Sequence, residues 1–303
     1  MPKNLLLAAA IAMVVPAAAT AAPKSTVVAP TRFSVVVVGS GPDVILIPGL
    51  SSPRRVWEAT AERLKATHRV HLVQVKGFGE PAGPNASGPV LQPLVDDLAA
   101  YITANKLDRP AVVGHSLGGL AALMLGADHP ALPGKLLIVD ALPFIGPLFG
   151  ASSVAAIRPQ ADQMRTMLLA NAATATPDFT APDCPASLPA PATPRGTMTN
   201  SGQGACMVRY GAIASDLRVV AQALHDDMVT DVTLRLKAIK VAVTMLYPQD
   251  DRLLTAAAAA RIYTDAYAAL PSAKLVPITG SYHFIMQDQP ERFRAALEAF
   301  LAR

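Results

Sequence analysis

The sequence predicts an α/β fold, a mostly parallel sheet with helices on both faces and a helical cap insertion. Three observations carry this. Short apolar runs alternate with helical patterns at both ends of the chain, as in β-α units wound into a parallel sheet. The runs are apolar at consecutive positions, as strands covered on both faces are. The middle third holds helical patterns and prolines but no convincing strand.

Taken in order, Thr31–Val38 and Val44–Ile47 read as strands around Gly39-Ser40-Gly41-Pro42, a hairpin-like turn. Ser52-Pro53 opens a helix, with Ser as N-cap and Pro in the first turn. It reaches about Ala66, with Val56, Trp57, Thr60 and Leu64 at helical spacing. Val70–Val75 is a strand, Leu91–Asn105 a helix and Ala111–Val113 a buried strand. A helix from Leu117 to about Asp128 and the strand Lys135–Val139 follow. Towards the end come the strand Lys240–Leu246, the Ala-rich helix Thr255–Ala269, the strand Lys274–Ile278 and the helix Glu291–Ala302.

Between these halves, helical patterns appear around Ala155–Ala172 and Asp216–Met228. Pro177, Pro182, Pro185, Pro189, Pro191 and Pro194 separate them and exclude a helix there. A long irregular segment of this kind is usually functional. Residues 22–303 are expected to form one domain, with a core of 31–140 and 236–303 and a cap inserted at 141–235.

The chain has 303 residues, 51% hydrophobic and 16% charged, with a mean hydropathy of +0.34. This excludes a disordered chain. Part of the apolar excess lies in residues 1–21. Lys3, the eleven-residue apolar run Leu5–Val15 and the Ala19-Thr20-Ala21 cleavage signal form the grammar of a secretory leader. The run is too short to cross a bilayer, which takes about 20 residues. The expectation is export to the periplasm or medium after cleavage near Ala21, with no membrane span afterwards. The net charge of +4 comes without a Lys/Arg cluster longer than Arg54-Arg55, so nucleic-acid binding is not expected. Cys184 and Cys206, an even pair in an exported chain, read as a disulfide. It would close a loop worth on the order of 3 kcal/mol. No metal-ligand spacing surrounds them.

The chemistry centres on Gly114-His115-Ser116-Leu117-Gly118, a G-x-S-x-G run between a short apolar strand and an Ala/Leu-rich helix. A sharp strand–turn–helix lifts the Ser116 hydroxyl clear of the sheet, and Cβ atoms on the flanking glycines would clash with neighbouring backbone. The serine then stands at a helix N-terminus, where free N–H groups favour an oxyanion. A serine nucleophile needs a base oriented by a carboxylate. Asp250-Asp251 follows one late strand and His283 follows the next. Catalytic groups belong at such carboxyl ends, and the order Ser…Asp…His fits the motif class.

On Pro48-Gly49-Leu50-Ser51-Ser52, Gly77-Phe78-Gly79, the Gly114–Gly118 elbow, Asp250-Asp251 and Gly280-Ser281-Tyr282-His283, the chain resembles the α/β-hydrolase superfamily from about residue 31 onward. The resemblance implies a Ser–His–Asp triad and a cap inserted after the sixth core strand. It also implies an oxyanion hole from the backbone of Leu117 and Leu50. Two departures are Pro48 where relatives often carry His, and Gln74 where they often carry Asp. Pro248 stands where relatives commonly carry Gly three residues before the acid. That favours Asp251 over Asp250. Asp140, at the end of Leu136–Val139, is the other alternative acid, since some triads place theirs there.

The remaining histidines read as structural. His115 packs beside the nucleophile, His129 ends a helix, His68 and His71 flank a strand, and His225 with Asp226-Asp227 lies on the solvated face of a cap helix. Trp57 reads as core, and Phe78 borders the site or simply packs. The expected activity is hydrolysis of a small-molecule carboxylic ester through an acyl-enzyme on Ser116, with no metal or cofactor. Thioester, lactone, amide or activated C–C substrates are alternatives, and a non-catalytic binding protein on the same fold is a further one.

Overall fold

A computed structural model describes residues 29–192 and 197–302. The leader predicted at 1–21 lies outside them. One seven-stranded sheet runs through the described residues: β1 (Phe33–Val38), β2 (Asp43–Ile47), β3 (Arg69–Val75), β4 (Ala111–His115), β5 (Lys135–Val139), β6 (Ala242–Gln249) and β7 (Lys274–Thr279). Their order is β1-β3-β2-β4-β5-β6-β7, and every pairing is parallel except β1 with β3.

The hairpin expected at Gly39–Pro42 is not one. β3 lies between β1 and β2, so the turn carries the chain over β3 rather than joining paired strands. Turn chemistry fixes a reversal of direction but not which strand fills the gap.

The helices are α1 (Glu58–Leu64), α2 (Leu91–Ala104), α3 (Leu117–Asp128), α4 (Val154–Ala172), α5 (Gly202–Ile213), α6 (Leu217–Val229), α7 (Ala256–Ala266), α8 (Ile285–Asp288) and α9 (Pro290–Leu301). Alternation along the strands divides the core into two layers. Ile45, Ile47, Val112, Leu136 and Ile138 face α2, α3 and α7. Val44, Leu46, Val113, Leu137 and Val139 face Trp57, α1 and α9. Both sheet faces are therefore covered, as the continuous apolar runs predict.

Ser52 does not cap α1. Its hydroxyl donates to the Leu50 carbonyl, and a short 3-10 turn at Arg54–Trp57 precedes the helix.

The chain leaves the sheet after β5 and returns at β6. The described residues between carry helices α4, α5 and α6 and no strand. Sequence reading finds α4 and α6, whose N-termini are capped by Ser153 and Asp216. It misses α5, which starts at Ser201 after the proline-rich stretch and carries glycines at 202, 204 and 211, poor helix formers. Tertiary packing supplies what propensity lacks. Gly211 lies against the Ser51 carbonyl, and Met207 joins the layer around Trp57. Cys184 and Cys206 are bridged, with a Cα–Cα distance of 5.7 Å, fastening α5 to the proline-rich segment.

Candidate active site

Ser116 sits between β4 and α3 with φ 53° and ψ −124°, a conformation that costs a side chain roughly 1–3 kcal/mol. The neighbouring sequence makes it possible. A Cβ on Gly114 would lie 2.1 Å from the Gly118 carbonyl oxygen, and one on Gly118 would lie 2.5 Å from the carbonyl oxygens of Ile47 and Pro48. Only glycine permits this approach of three backbone segments. The loop after β2 presses on the serine, since a Cβ on Gly49 would lie 2.9 Å from Ser116 Cβ. Leu50 follows directly, and Leu117 is the first residue of α3. The backbone of both residues predicted to hold an oxyanion thus stands beside Ser116.

His283 follows β7 on the Gly280–Phe284 loop. Its Nδ1 lies 2.6 Å from Asp140 Oδ2. The structure does not bring Asp251 to His283. Asp251 is exposed and accepts from Gln249 Nε2 at 2.9 Å. Asp250 turns to its own loop, accepting from the Arg252 backbone N–H at 3.0 Å and pairing with its guanidinium at 2.7 Å. That pairing holds the Asp250 carboxyl below its usual range. β6 continues through Gln249, so both acids fall past its end. His283 thus pairs with the alternative acid, Asp140, and not with the favoured Asp251.

Asp140 leaves β5 with φ 46° and its N–H bonded to the Leu246 carbonyl at 2.9 Å. Its second oxygen accepts from the Tyr263 hydroxyl of α7. Tyr267 donates to the Ala141 carbonyl at 2.8 Å, anchoring the same turn. Burial first, and then the Asp140 charge, push the Tyr263 hydroxyl well above its ordinary value, so it stays a donor. With Tyr263 on one oxygen and His283 on the other, the carboxylate is fixed in orientation.

The His283 loop is held from two sides. His115, fully buried beneath it, donates from Nε2 to the His283 carbonyl at 3.0 Å. A carbonyl can only accept, so this bond sets the His115 tautomer. Burial, and secondarily His283, hold the His115 imidazole well below its usual value, and it is neutral. On the other side, Asp288 accepts from the Tyr282 N–H at 2.7 Å and from the Asn200 N–H at 3.0 Å. It also accepts from the Thr199 hydroxyl. One carboxylate thereby joins the His283 loop to the chain entering α5.

Ser116, Asp140 and His283 line one cavity of about 160 Å³, together with Leu120, Ala141, Leu142, Ile145, Leu148, Asp227 and Tyr263. Ser116 Oγ makes no hydrogen bond among the described residues, and nucleophile–base contacts often tighten only when substrate binds. A larger groove of about 500 Å³ between α1 and α9 carries no serine and no His–carboxylate pair.

Trp57 is core, and Phe78 is wholly buried and lines no part of this cavity. His225 is not solvated. It is buried between α4 and α6, bonded through Nε2 to Asp162 at 3.0 Å. Gln74 earns its place as an amide: it accepts from the Arg54 N–H and donates to the Phe78 carbonyl, which a carboxylate could not do.

Sequence reasoning misses Tyr263, Asp288 and Asp227. The first two carry no local signal. Asp227 carried one, because it continues the buried Val220–Ala223 stripe of α6 at helical spacing.

Residues 44–296 match the sequence model of the alpha/beta hydrolase family. Among curated proteins, a pimeloyl-[acyl-carrier protein] methyl ester esterase of Vibrio atlanticus is 34% identical over 107 residues, 35% of this chain and 39% of that protein. A putative carbamate hydrolase of Yersinia enterocolitica is 31% identical over 102 residues, 34% of this chain and 37% of that protein. The matched stretch thus spans under two-fifths of either relative's length. Among solved structures, a thermophilic esterase from Thermogutta terrifontis superimposes with a TM-score of 0.68 at 21% identity, covering 91% of this chain and 97% of that one. An enol-lactonase from Burkholderia xenovorans LB400 gives 0.65 at 18%, covering 89% and 96%. These likenesses concern the fold.

Proposed function

Because this chain belongs to the alpha/beta hydrolase family, we propose that it is an exported serine esterase working through Ser116, His283 and Asp140. The observation that carries the reading is the Asp140–His283 pair opening into the same cavity as the strained Ser116. The curated relatives named above include an ester hydrolase, which supports ester hydrolysis over the other acyl bonds.

In this mechanism His283 Nε2 takes the Ser116 proton as the hydroxyl attacks the ester carbonyl. Nδ1–H donates to Asp140, which fixes the tautomer and stabilises the imidazolium. The N–H groups of Leu50 and Leu117 receive the developing oxyanion. The imidazolium protonates the leaving alcohol, and water activated by His283 then releases the acid and restores Ser116. The apolar wall of Leu120, Leu142, Ile145 and Leu148 accommodates a short acyl chain. The leader grammar of residues 1–21 and the Cys184–Cys206 bridge support export.

The test is hydrolysis of a short-chain chromogenic ester by purified protein. Ser116→Ala is expected to lose on the order of 10⁴-fold or more in kcat. Unchanged turnover in that variant would sink the nucleophile assignment.

A further inference from the structure

The catalytic cavity holds a carboxylate that the esterase mechanism does not use. Asp227 projects from α6 into the cavity lined by Ser116, Asp140 and His283. Its carboxylate makes no hydrogen bond or ion pair among the described residues. Its neighbours differ in this respect: Asp226 accepts from the Val90 and Leu91 N–H groups at 2.7 and 3.1 Å, and His225 bonds Asp162. Two of three consecutive polar residues thus fasten α6 to α2 and α4, while the third is spent on the cavity.

The cavity lining contains no lysine or arginine. Its one basic side chain, His283, is already bonded to Asp140. Two carboxylates and one imidazole leave the space electrically negative, with an apolar wall of leucine, isoleucine and alanine. Asp227 is half-buried, and a carboxylate partly withdrawn from water without a partner gains from pairing with a cation. Here the substrate can supply that partner.

We propose that Asp227 forms a subsite for an ammonium group carried by the substrate, a few bonds from the scissile carbonyl, so that the enzyme prefers small amino-substituted esters and rejects anionic ones. This rests on the serine-esterase reading for its reaction but not for its binding. Hydroxyl donors would use the same carboxylate more weakly, through a hydrogen bond without the charge.

A pH signature accompanies the subsite. Burial raises the Asp227 carboxyl to about 7, with His283 opposing and Asp226 adding to the rise. Facing it across the cavity are His283 and Tyr263, with Asp140 beside them. Asp226 is its neighbour on α6, and α4, packed along α6, carries Arg158, Asp162 and Arg165. Below that value the carboxyl is neutral and above it the carboxylate is charged. Preference for a cation therefore rises with pH.

The experiment compares p-nitrophenyl 3-aminopropionate, 3-hydroxypropionate, butyrate and hemisuccinate. Each kcat/KM is divided by the uncatalysed rate of the same ester, and the readout is the ratio to butyrate, in which pH effects common to all four esters cancel. The ammonium ester is expected to exceed butyrate by roughly tenfold or more, the hydroxy ester by less, and the hemisuccinate to fall below it. In Asp227→Asn the ammonium-to-butyrate ratio is expected to collapse toward one. Between about pH 6 and 8 that ratio should climb in the native protein and stay flat in the variant. A native ratio near one, or a ratio that survives Asp227→Asn, overturns the subsite.

Binding separates the two readings. Propylammonium is titrated by NMR into Ser116→Ala protein with and without Asp227→Asn. A loss of tenfold or more in affinity on adding Asp227→Asn supports the subsite even if no ester is cleaved, and equal affinity overturns it. Failure to cleave any of the four esters counts against the esterase reading alone.

Discussion

The turns after β5 and β6 lie side by side on the same edge of the sheet, and each presents an acid. After β5, Asp140 is packed under Tyr263 and Tyr267, and both its oxygens are committed, to Tyr263 and to His283. After β6, Asp250 is neutralised by Arg252 two residues on, and Asp251 faces solvent with Gln249 as its partner. Strand position alone does not make a catalytic acid. A carboxylate orients an imidazole when it is desolvated and when its other lone pairs are already occupied, so that one direction remains for the histidine. Asp250 is as desolvated as Asp140, its side chain 9% exposed against 12%, but both its oxygens are taken by Arg252, and Asp251 lies in solvent.

The largest effect that could break this comparison is loss of the Asp140 charge. Asp140→Asn is expected to lower kcat by on the order of 10³–10⁴-fold with little change in KM, because the imidazolium loses its partner and its tautomer. Asp251→Asn, assayed alongside, is expected to stay within about twofold, since surface substitutions away from such networks are usually near neutral. A reversal of these two results would return the acid to the β6 turn.

A smaller loss sharpens the role of the packing around Asp140. Tyr263→Phe removes one charge-assisted hydrogen bond, worth about 1.5–3 kcal/mol, and frees one carboxylate oxygen to rotate. Steady-state kinetics should show a drop in kcat of roughly tenfold or more. If the variant matches the native enzyme, orientation of Asp140 does not depend on α7.

The smallest catalytic change belongs to the insertion. Replacing Cys184 and Cys206 by serine releases a loop constraint of about 3 kcal/mol. The expected sign is faster limited proteolysis between residues 173 and 201, while fragments from the sheet resist. The core strands share both apolar layers, whereas the disulfide ties α5 to the proline-rich segment and Asp288 ties its entry to the His283 loop. Cleavage that begins in the sheet would contradict this division.

Much of this was legible in the sequence. The continuous apolar runs gave both faces of the sheet, and the spacing of glycines around Ser116 gave the elbow, because both are local consequences of packing. His283 was legible because it follows a strand in a Gly-containing turn. The carboxylate that pairs with His283 was not, because Asp140 and Asp251 look alike in one dimension. What separates them is Tyr263, more than a hundred residues from Asp140 in the chain, and the extension of β6 to Gln249. Asp227 stood in a His-Asp-Asp run that reads as a solvated face. Its helical register was the clue, since an acid on the apolar stripe of α6 must face something.

The most direct measurement is the proton NMR spectrum of the native protein, searched for the strongly deshielded imidazole proton that a short His–carboxylate hydrogen bond produces. This resonance, assigned to His283 Nδ1–H, is expected in the native protein and in Asp251→Asn and is expected to disappear in Asp140→Asn. Its persistence in Asp140→Asn together with its loss in Asp251→Asn would contradict the pairing on which the site is built.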